Sequence, residues 1–353
     1  MRVGKHNKTD QIWKLGEMVL EETKRYKYLG DIITPDGKNT ENIKARTAKL
    51  KATTININTI AASEVLHRIE TTVLLDLHEK RSIPGFLTNA ESWNLSKKEE
   101  SDLEKSEIQA IKQLFDLPIH TPTVAIIFTL GLLYTTQRVD KKQLIYLQKL
   151  LRHQDFDWKR LTLKTIEVKK IGWFKKIDQT LRKYDLPTDL NTIRTMPIAR
   201  WKSFVSSAIE TQNKIRIKQD LYKTENGIKE LKTKTRTILD KISNQNYLRQ
   251  PEPEIKLLTK YETKTLIIAR YGMLMCGTNF KGTHSSTCIG CNQIDNEHHR
   301  MNECPKWNSL SANNEMIDFD LIHSDSIVSI RSVMNRIRDI WNTKCAHGTM
   351  RKD

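Results

Sequence analysis

The sequence predicts a mainly α-helical protein. A small N-terminal β-hairpin and strand remnant leads into a helical bundle, a long helical linker and a small C-terminal zinc-knuckle domain. Three observations predict this architecture. Extended, aromatic and β-branched runs are confined to residues 11 to 38, and apolar residues recur at helical spacing from about Asn39 onward. Three of the five cysteines fall between Cys288 and Cys304. At 353 residues the chain is long enough for two or three cores. Charged residues at 29% against aromatics at 7% suit helices with charged surfaces better than a compact β fold. The boundaries read as 1–38 for the strands, 39–153 for the bundle, 154–250 for the basic helical linker region and 251–353 for the knuckle with its closing helix.

The strand region begins with Ile12, Trp13 and Leu15. The chain turns at Gly16-Glu17 and leaves through Val19 and Leu20, a hairpin pattern. Tyr26 to Ile33 reads as a second extended run, closed by a tight turn at Pro35-Asp36-Gly37. So few strands leave open edges, which predisposes the chain to self-association.

The first helix carries Ile43, Thr47, Leu50 and Thr54 on one face, while Lys44, Arg46, Lys49 and Lys51 make much of the remaining surface basic. These cations are candidates for tracking a phosphate backbone; the alternative is a solvated face. A second helix is expected from about Ser63 to His78, then a loop holding Pro84-Gly85. Ser96-Lys-Lys-Glu99 is a capping box, so a helix starts there, buries Leu103, Ile111, Leu114 and Phe115, and ends before Leu117-Pro118. Pro122 opens a helix that breaks near Gly131. Leu144, Leu147, Leu150 and Leu151 mark another, finishing in Arg152-His153.

Beyond Gln154, Trp158, Trp173, Phe174 and Trp201 stand among cations that include Lys169, Lys170, Lys175 and Lys176. Aromatics interleaved with cations either stack on unpaired bases or are core residues with a basic rim. A long polar helix or helix pair follows Trp201, and Gln250-Pro251-Glu-Pro253 is the clearest linker. A helix around Thr263 to Met275 leads to the knuckle, and Ile327, Ile330, Val333, Met334, Ile337 and Ile340 place a last helix near the C-terminus.

The knuckle carries the chemistry. Cys288-Ile-Gly-Cys291 lets two thiolates grip one metal from a tight turn, Gly290 supplying the backbone freedom that turn demands. His299 and Cys304 complete a tetrahedral Cys-Cys-His-Cys set for a structural Zn2+. His298 competes for the histidine position. Cys276, His284 and Cys345 lie outside the spacing. Lys and Arg total 59 against 42 Asp and Glu, a formal charge of +17 that favours a polyanionic partner, RNA or DNA. The N-terminal residues are polar, and the longest apolar run, Val124 to Phe128, falls short of a membrane span. The expectation is an intracellular protein of nucleus or cytoplasm, with no membrane partner. A nucleophile elbow and a phosphate-binding glycine loop are both absent from the sequence.

Tyr26-Lys-Tyr28-Leu29-Gly30-Asp31, then Asp36-Gly37-Lys38 and a basic helix, resembles the segment after the polymerase palm of non-LTR (LINE-type) retrotransposon reverse transcriptases. Trp13-Lys-Leu15-Gly16, Gly131-Leu-Leu133, Tyr146-Leu147-Gln-Lys-Leu150-Leu151 and the knuckle with Glu303-Cys304-Pro305 follow in the order of that family's C-terminal half. The resemblance implies that residues 1–38 are end-of-palm strands and 39–153 a helical thumb. It also implies that the knuckle lies in a region handling target DNA and element RNA. That family is an RNA-directed DNA polymerase, whose paired aspartates hold Mg2+. This sequence contains no Asp-Asp pair, the motif belongs well before Tyr26, and only 25 residues precede it. After Cys304, 49 residues include no Pro-Asp motif of the related endonucleases. The chain is therefore expected to bind nucleic acid without polymerising, and no catalytic residue is assigned; Mg2+ would enter only with a palm. Two alternatives stay open: part of an active polymerase whose palm is encoded upstream, and a domesticated zinc-dependent protein-interaction adaptor.

Overall fold

The computed structural model describes residues 14–19, 23–61, 69–153, 172–227, 255–271, 287–288, 291–296, 299–305 and 326–346. The protein is mainly α, as its periodicity predicts, with two small antiparallel hairpins at the N-terminal end. Two compact units draw on interleaved stretches. The first takes 1–60, 76–111 and 133–215; the second takes 61–75, 112–132 and 216–353.

In the first unit, β1 (Lys14–Leu15) pairs with β2 (Met18–Val19) across Gly16-Glu17, where Gly16 takes φ +62°. The second extended run does not continue straight through. It folds back on itself, β3 (Tyr26–Tyr28) pairing with β4 (Asp31–Ile33). Leu29 and Gly30 both take positive φ, 46° and 90°, which is the backbone a two-residue primed turn demands. Glycine is suited to it and leucine is strained there. One carboxylate holds the hairpin down: Asp31 accepts from Arg46 at 2.9 Å, Asn42 at 3.0 Å and Asn89 at 2.8 Å. The Pro35-Asp36-Gly37 turn forms as expected, Gly37 N–H donating to Thr34 O at 3.0 Å.

Helix α1 (Thr40–Ala61) and α4 (Lys97–Leu114) start at one shared carboxylate. Glu99 closes the capping box, its Oε2 accepting from Ser96 N at 2.9 Å and Ser96 Oγ at 2.8 Å. Its Oε1 accepts from Asn39 N at 2.9 Å, at the head of α1. One buried carboxylate thus satisfies part-buried amides at two helix starts and sits at the positive end of both dipoles. Since one cap contributes about 1 kcal/mol, Glu99→Ala should cost roughly 2 kcal/mol in chemical denaturation. A loss within the ordinary surface range of about 0.5 kcal/mol would contradict the double cap.

Between these helices the chain runs through α2 (Thr71–Leu77), a widened π-helical turn (His78–Ser82) and α3 (Ile83–Phe86). The loop expected at Pro84-Gly85 is therefore helical, a correction with a physical reason. Pro84 has no N–H to donate back and its ring crowds the preceding turn, and the widened turn directly before it relieves that clash. A Cβ at Gly85 would stand 3.1 Å from the end of the exposed Lys49 side chain, a contact relieved by a shift of a few tenths of an ångström in that lysine. Ile43, Leu50, Phe86, Leu87, Trp93, Leu103 and Val139 form one core of this unit. A second core gathers α6 (Thr135–Leu151), α7 (Gly172–Lys183), α8 (Leu190–Thr195) and α9 (Ile198–Gly227), through Leu144, Leu147, Leu181, Trp201 and Val205.

A buried ionic group joins the widened turn to α4 and α6. Glu107, 2% exposed, accepts from Thr135 Oγ1 at 2.5 Å and lies 3.4 Å from Arg138 Nε and 3.6 Å from His78 Nε2. Arg138 also forks onto Glu79, at 2.7 and 2.5 Å.

The second unit contains α5 (Thr123–Thr129), almost wholly buried and ended by Gly131 at φ +64°. It also contains α10 (Lys260–Arg270) and α11 (Ile327–Ala346). Thr259 and Glu262 form a capping box at α10. Thr71 N–H donates to Leu258 O at 2.9 Å, the Thr71 and Thr263 hydroxyls meet at 2.6 Å, and Thr129 Oγ1 lies 3.2 Å from Tyr271 Oη. The core face of α11 carries Ile330, Val333, Met334 and Ile337, as its spacing predicts. Among the described residues no helix is long and apolar enough to cross a membrane.

Candidate metal centre

The segment around Cys288 is short of apolar side chains, so its local shape comes from backbone hydrogen bonds. Thr287 and Ile294 form a single antiparallel bridge. Inside it, Cys288 N–H donates to Gln293 O at 2.7 Å and Asn292 N–H returns to Cys288 O at 2.8 Å. Asn292 takes the left-handed conformation that closes this turn, φ +60°, a place asparagine tolerates. Gly290, the residue expected to free the turn, lies outside the described residues, as does the competing ligand His298.

His299 and Cys304 come from one further element, a π-helical turn over His299–Glu303. The Asn296 side chain opens it by accepting from His299 N at 2.7 Å, and Cys304 N–H closes it on His299 O at 2.8 Å. This turn packs against α11.

Together the two turns converge four side chains. The ligand atoms of Cys288, Cys291, His299 and Cys304 all lie within 4.8 Å of one another and could hold a metal ion. Cys288 Sγ is 3.6 Å from Cys304 Sγ, Cys304 Sγ is 3.8 Å from Cys291 Sγ, and Cys291 Sγ is 3.1 Å from His299 Nε2. Sulfur separations of this size are far from the ~2.05 Å of a disulfide, and these three thiols form none. They match instead the edge of a tetrahedron with metal–sulfur bonds of about 2.3 Å, which is about 3.8 Å. Cys288, His299 and Cys304 are buried and Cys291 is half-buried, so a bound ion would be closed off from solvent on most sides. All four ligands named from the spacing therefore come together. Cys276 and His284 lie outside the described residues.

The basic candidates do not behave as a group. Lys44, Lys49 and Lys51 are exposed on α1, Lys44 holding Glu41 at 2.8 Å. A hydrogen bond from Lys44, then its charge, keeps the Glu41 carboxyl below its ordinary range. Arg46 points inward instead: it is 7% exposed, bonded to Asp31 and to Gly30 O, and it serves the hairpin rather than a phosphate. Its position one turn from Ile43 and Leu50 turns it toward the core. Lys175 is exposed on α7, while Lys176 is half-buried in an ion pair with Glu100. Lys169, Lys170 and Trp158 lie outside the described residues. The remaining aromatics are packing residues. Trp201 is fully buried with Nε1 donating to Leu144 O at 3.0 Å, and Trp173 donates to Glu91 O at 2.9 Å and meets Tyr146 edge-on.

Sequence reasoning gave no role at the centre to two polar residues, Asn296 and Glu303, the second named only as part of the Glu303-Cys304-Pro305 motif. Asn296 stands three residues before His299, an N-cap spacing. Glu303 stands four residues after it, on the same face of a helical turn, with a carboxylate oxygen 3.6 Å from His299 Nδ1. Comparison of the chain with family models, with curated proteins and with solved structures gives no match.

Proposed function

We propose that the chain is a zinc-stabilised nucleic-acid-binding part of a non-LTR retrotransposon reverse transcriptase, intracellular and unable to polymerise by itself. The observation that carries the zinc assignment is the convergence of three sulfurs and one imidazole nitrogen. Three thiolates and a neutral imidazole are a soft, four-coordinate donor set suited to Zn2+ and unsuited to Mg2+. A set closed by four protein ligands leaves no position for substrate, so the ion's role is structural: it fixes the two turns relative to each other. Cys288, Cys291, His299 and Cys304 would hold it.

The nucleic-acid assignment rests on the formal charge of +17 and on the exposed cations of α1. Lys44 and Lys51 are seven residues apart, two helical turns, and therefore lie on one face, while Lys49, also exposed, stands about 140° round the helix from Lys44. Basic side chains so placed neutralise phosphates and release counterions. The missing Asp-Asp pair supports binding without polymerisation.

The triple variant Lys44→Ala, Lys49→Ala, Lys51→Ala tests this reading. The log–log salt slope of duplex DNA binding should fall by roughly 0.9 for each phosphate no longer neutralised, up to about 2.7, with weaker binding at every salt concentration. A wild-type affinity that does not change with salt would sink the nucleic-acid reading. One observation favours the adaptor alternative. Leu15, Met18, Val19 and Leu29 are large apolar side chains exposed on the two hairpins, a surface suited to protein binding or self-association. Salt-insensitive binding of a protein, with none to RNA or DNA, would establish that reading.

A further inference from the structure

We infer that Glu303 is a positioning residue of the metal centre, orienting His299 so that Nε2 is the nitrogen that binds metal. This rests on the zinc reading above and reaches one residue past the four ligands. The two ring nitrogens of His299 face different partners. Nε2 looks into the cluster, 3.1 Å from Cys291 Sγ, and Nδ1 looks out of it, 3.6 Å from Glu303 Oε2. A neutral imidazole carries one N–H, and a metal takes the nitrogen without it. A carboxylate beside Nδ1 favours the proton there, leaves the Nε2 lone pair for the ion, and strengthens its donation.

The turn geometry makes the pairing a built feature. His299 and Glu303 begin and end the same five-residue π-helical turn. Its first residue is fixed by the Asn296 side chain, and the residue after it, Cys304, is a ligand that bonds back to His299 O. The His299 imidazole is buried, with 2% of its side chain exposed, and has little rotational freedom. The Glu303 side chain is 52% exposed, and its carboxylate stands 3.6 Å from Nδ1, within ion-pair reach of the ring.

The test uses the full chain and Zn2+, in the wild type, Glu303→Gln and Glu303→Ala. Zinc affinity is read by competition with a chelator, and the metal-bound nitrogen of His299 by its imidazole 15N shifts. The wild type should bind one zinc through Nε2. Glu303→Ala should bind one zinc with affinity lower by roughly 10- to 100-fold, the range typical for removal of such a partner, and Glu303→Gln should fall between them. Zinc bound through Nδ1 in the wild type, or a Glu303→Ala affinity equal to wild type, removes the role of Glu303 and leaves the metal centre standing. A wild-type chain that binds no zinc removes both.

Discussion

Replacing Cys288 and Cys291 together by serine will abolish zinc binding and unfold the segment around residues 287–305, while the helices of the first unit remain folded. The reason lies in what this segment has for a core. Its buried cluster consists of Cys288 and Cys304 with Cys291 packed against them, and among the described residues no aliphatic side chain joins it. Three sulfurs bury too little apolar area to offset the backbone entropy of two tight turns. Coordination must supply the difference, and in isolated finger peptides it amounts to about 10 to 16 kcal/mol of apparent affinity. The α4, α6 and α9 helices do not depend on the metal, since their cores are Leu, Ile, Phe and Trp. Metal content and amide hydrogen exchange, measured together, check both halves. One equivalent of zinc retained by the double variant would sink the metal centre, and loss of protection throughout the chain would sink its local character. A strong chelator added to the wild type should reproduce the variant's exchange pattern.

The second large effect is expected at Glu107. Burial pushes its carboxyl up, but the Arg138 charge opposes this most strongly, and the nearby His78 ring and the Thr135 hydroxyl add to it. The balance leaves Glu107 below its ordinary value of 4.5. Arg138 responds in kind: burial would lower its pKa, and Glu107 first and then Glu79 raise it. A group whose folded pKa is depressed contributes stability that is present above its unfolded pKa and lost as pH falls through the folded one. The wild type should therefore lose stability below about pH 4.5, and Glu107→Ala should lose less over the same window. At neutral pH the substitution should cost about 3 kcal/mol, because Arg138 keeps Glu79 but is left with one buried partner fewer. Glu107→Gln retains an acceptor for Thr135 and should fall between the two. Parallel acid profiles for wild type and Glu107→Ala would contradict the assignment.

Much of this was legible in the sequence where a local rule has no competitor. Ser96 and Glu99 announced a helix start, and the start is there; the spacing of Ile330, Val333, Met334 and Ile337 announced a buried face, and it is buried. Cys288, Cys291, His299 and Cys304 were readable because metal ligands are constrained by distance along the chain as well as in space. The failures have two causes: a tertiary partner changed the local answer at Leu29 and Arg46, and a widened turn beside the proline changed it at Pro84-Gly85. Leu29 reads as a strand residue, yet Asp31 and Arg46 hold the chain in a turn that leucine alone disfavours. Pro84-Gly85 reads as a loop, yet a widened turn carries it inside a helix. Arg46 reads as one cation among four, and only the hairpin packed beside it reveals a buried partner. Glu107 and Arg138 gave no signal, because burial of a charge is set by elements distant in sequence.

The bond between Thr71 and Thr263 spans 192 positions, and that span has a consequence for synthesis. At roughly 5 to 20 residues per second a ribosome needs about 10 to 40 s after Thr71 before its mate exists. Once made, the buried strip from Val124 to Phe128 waits for α10, which α5 contacts in the fold, so the nascent chain offers sticky surface to chaperones before the later half can shield it.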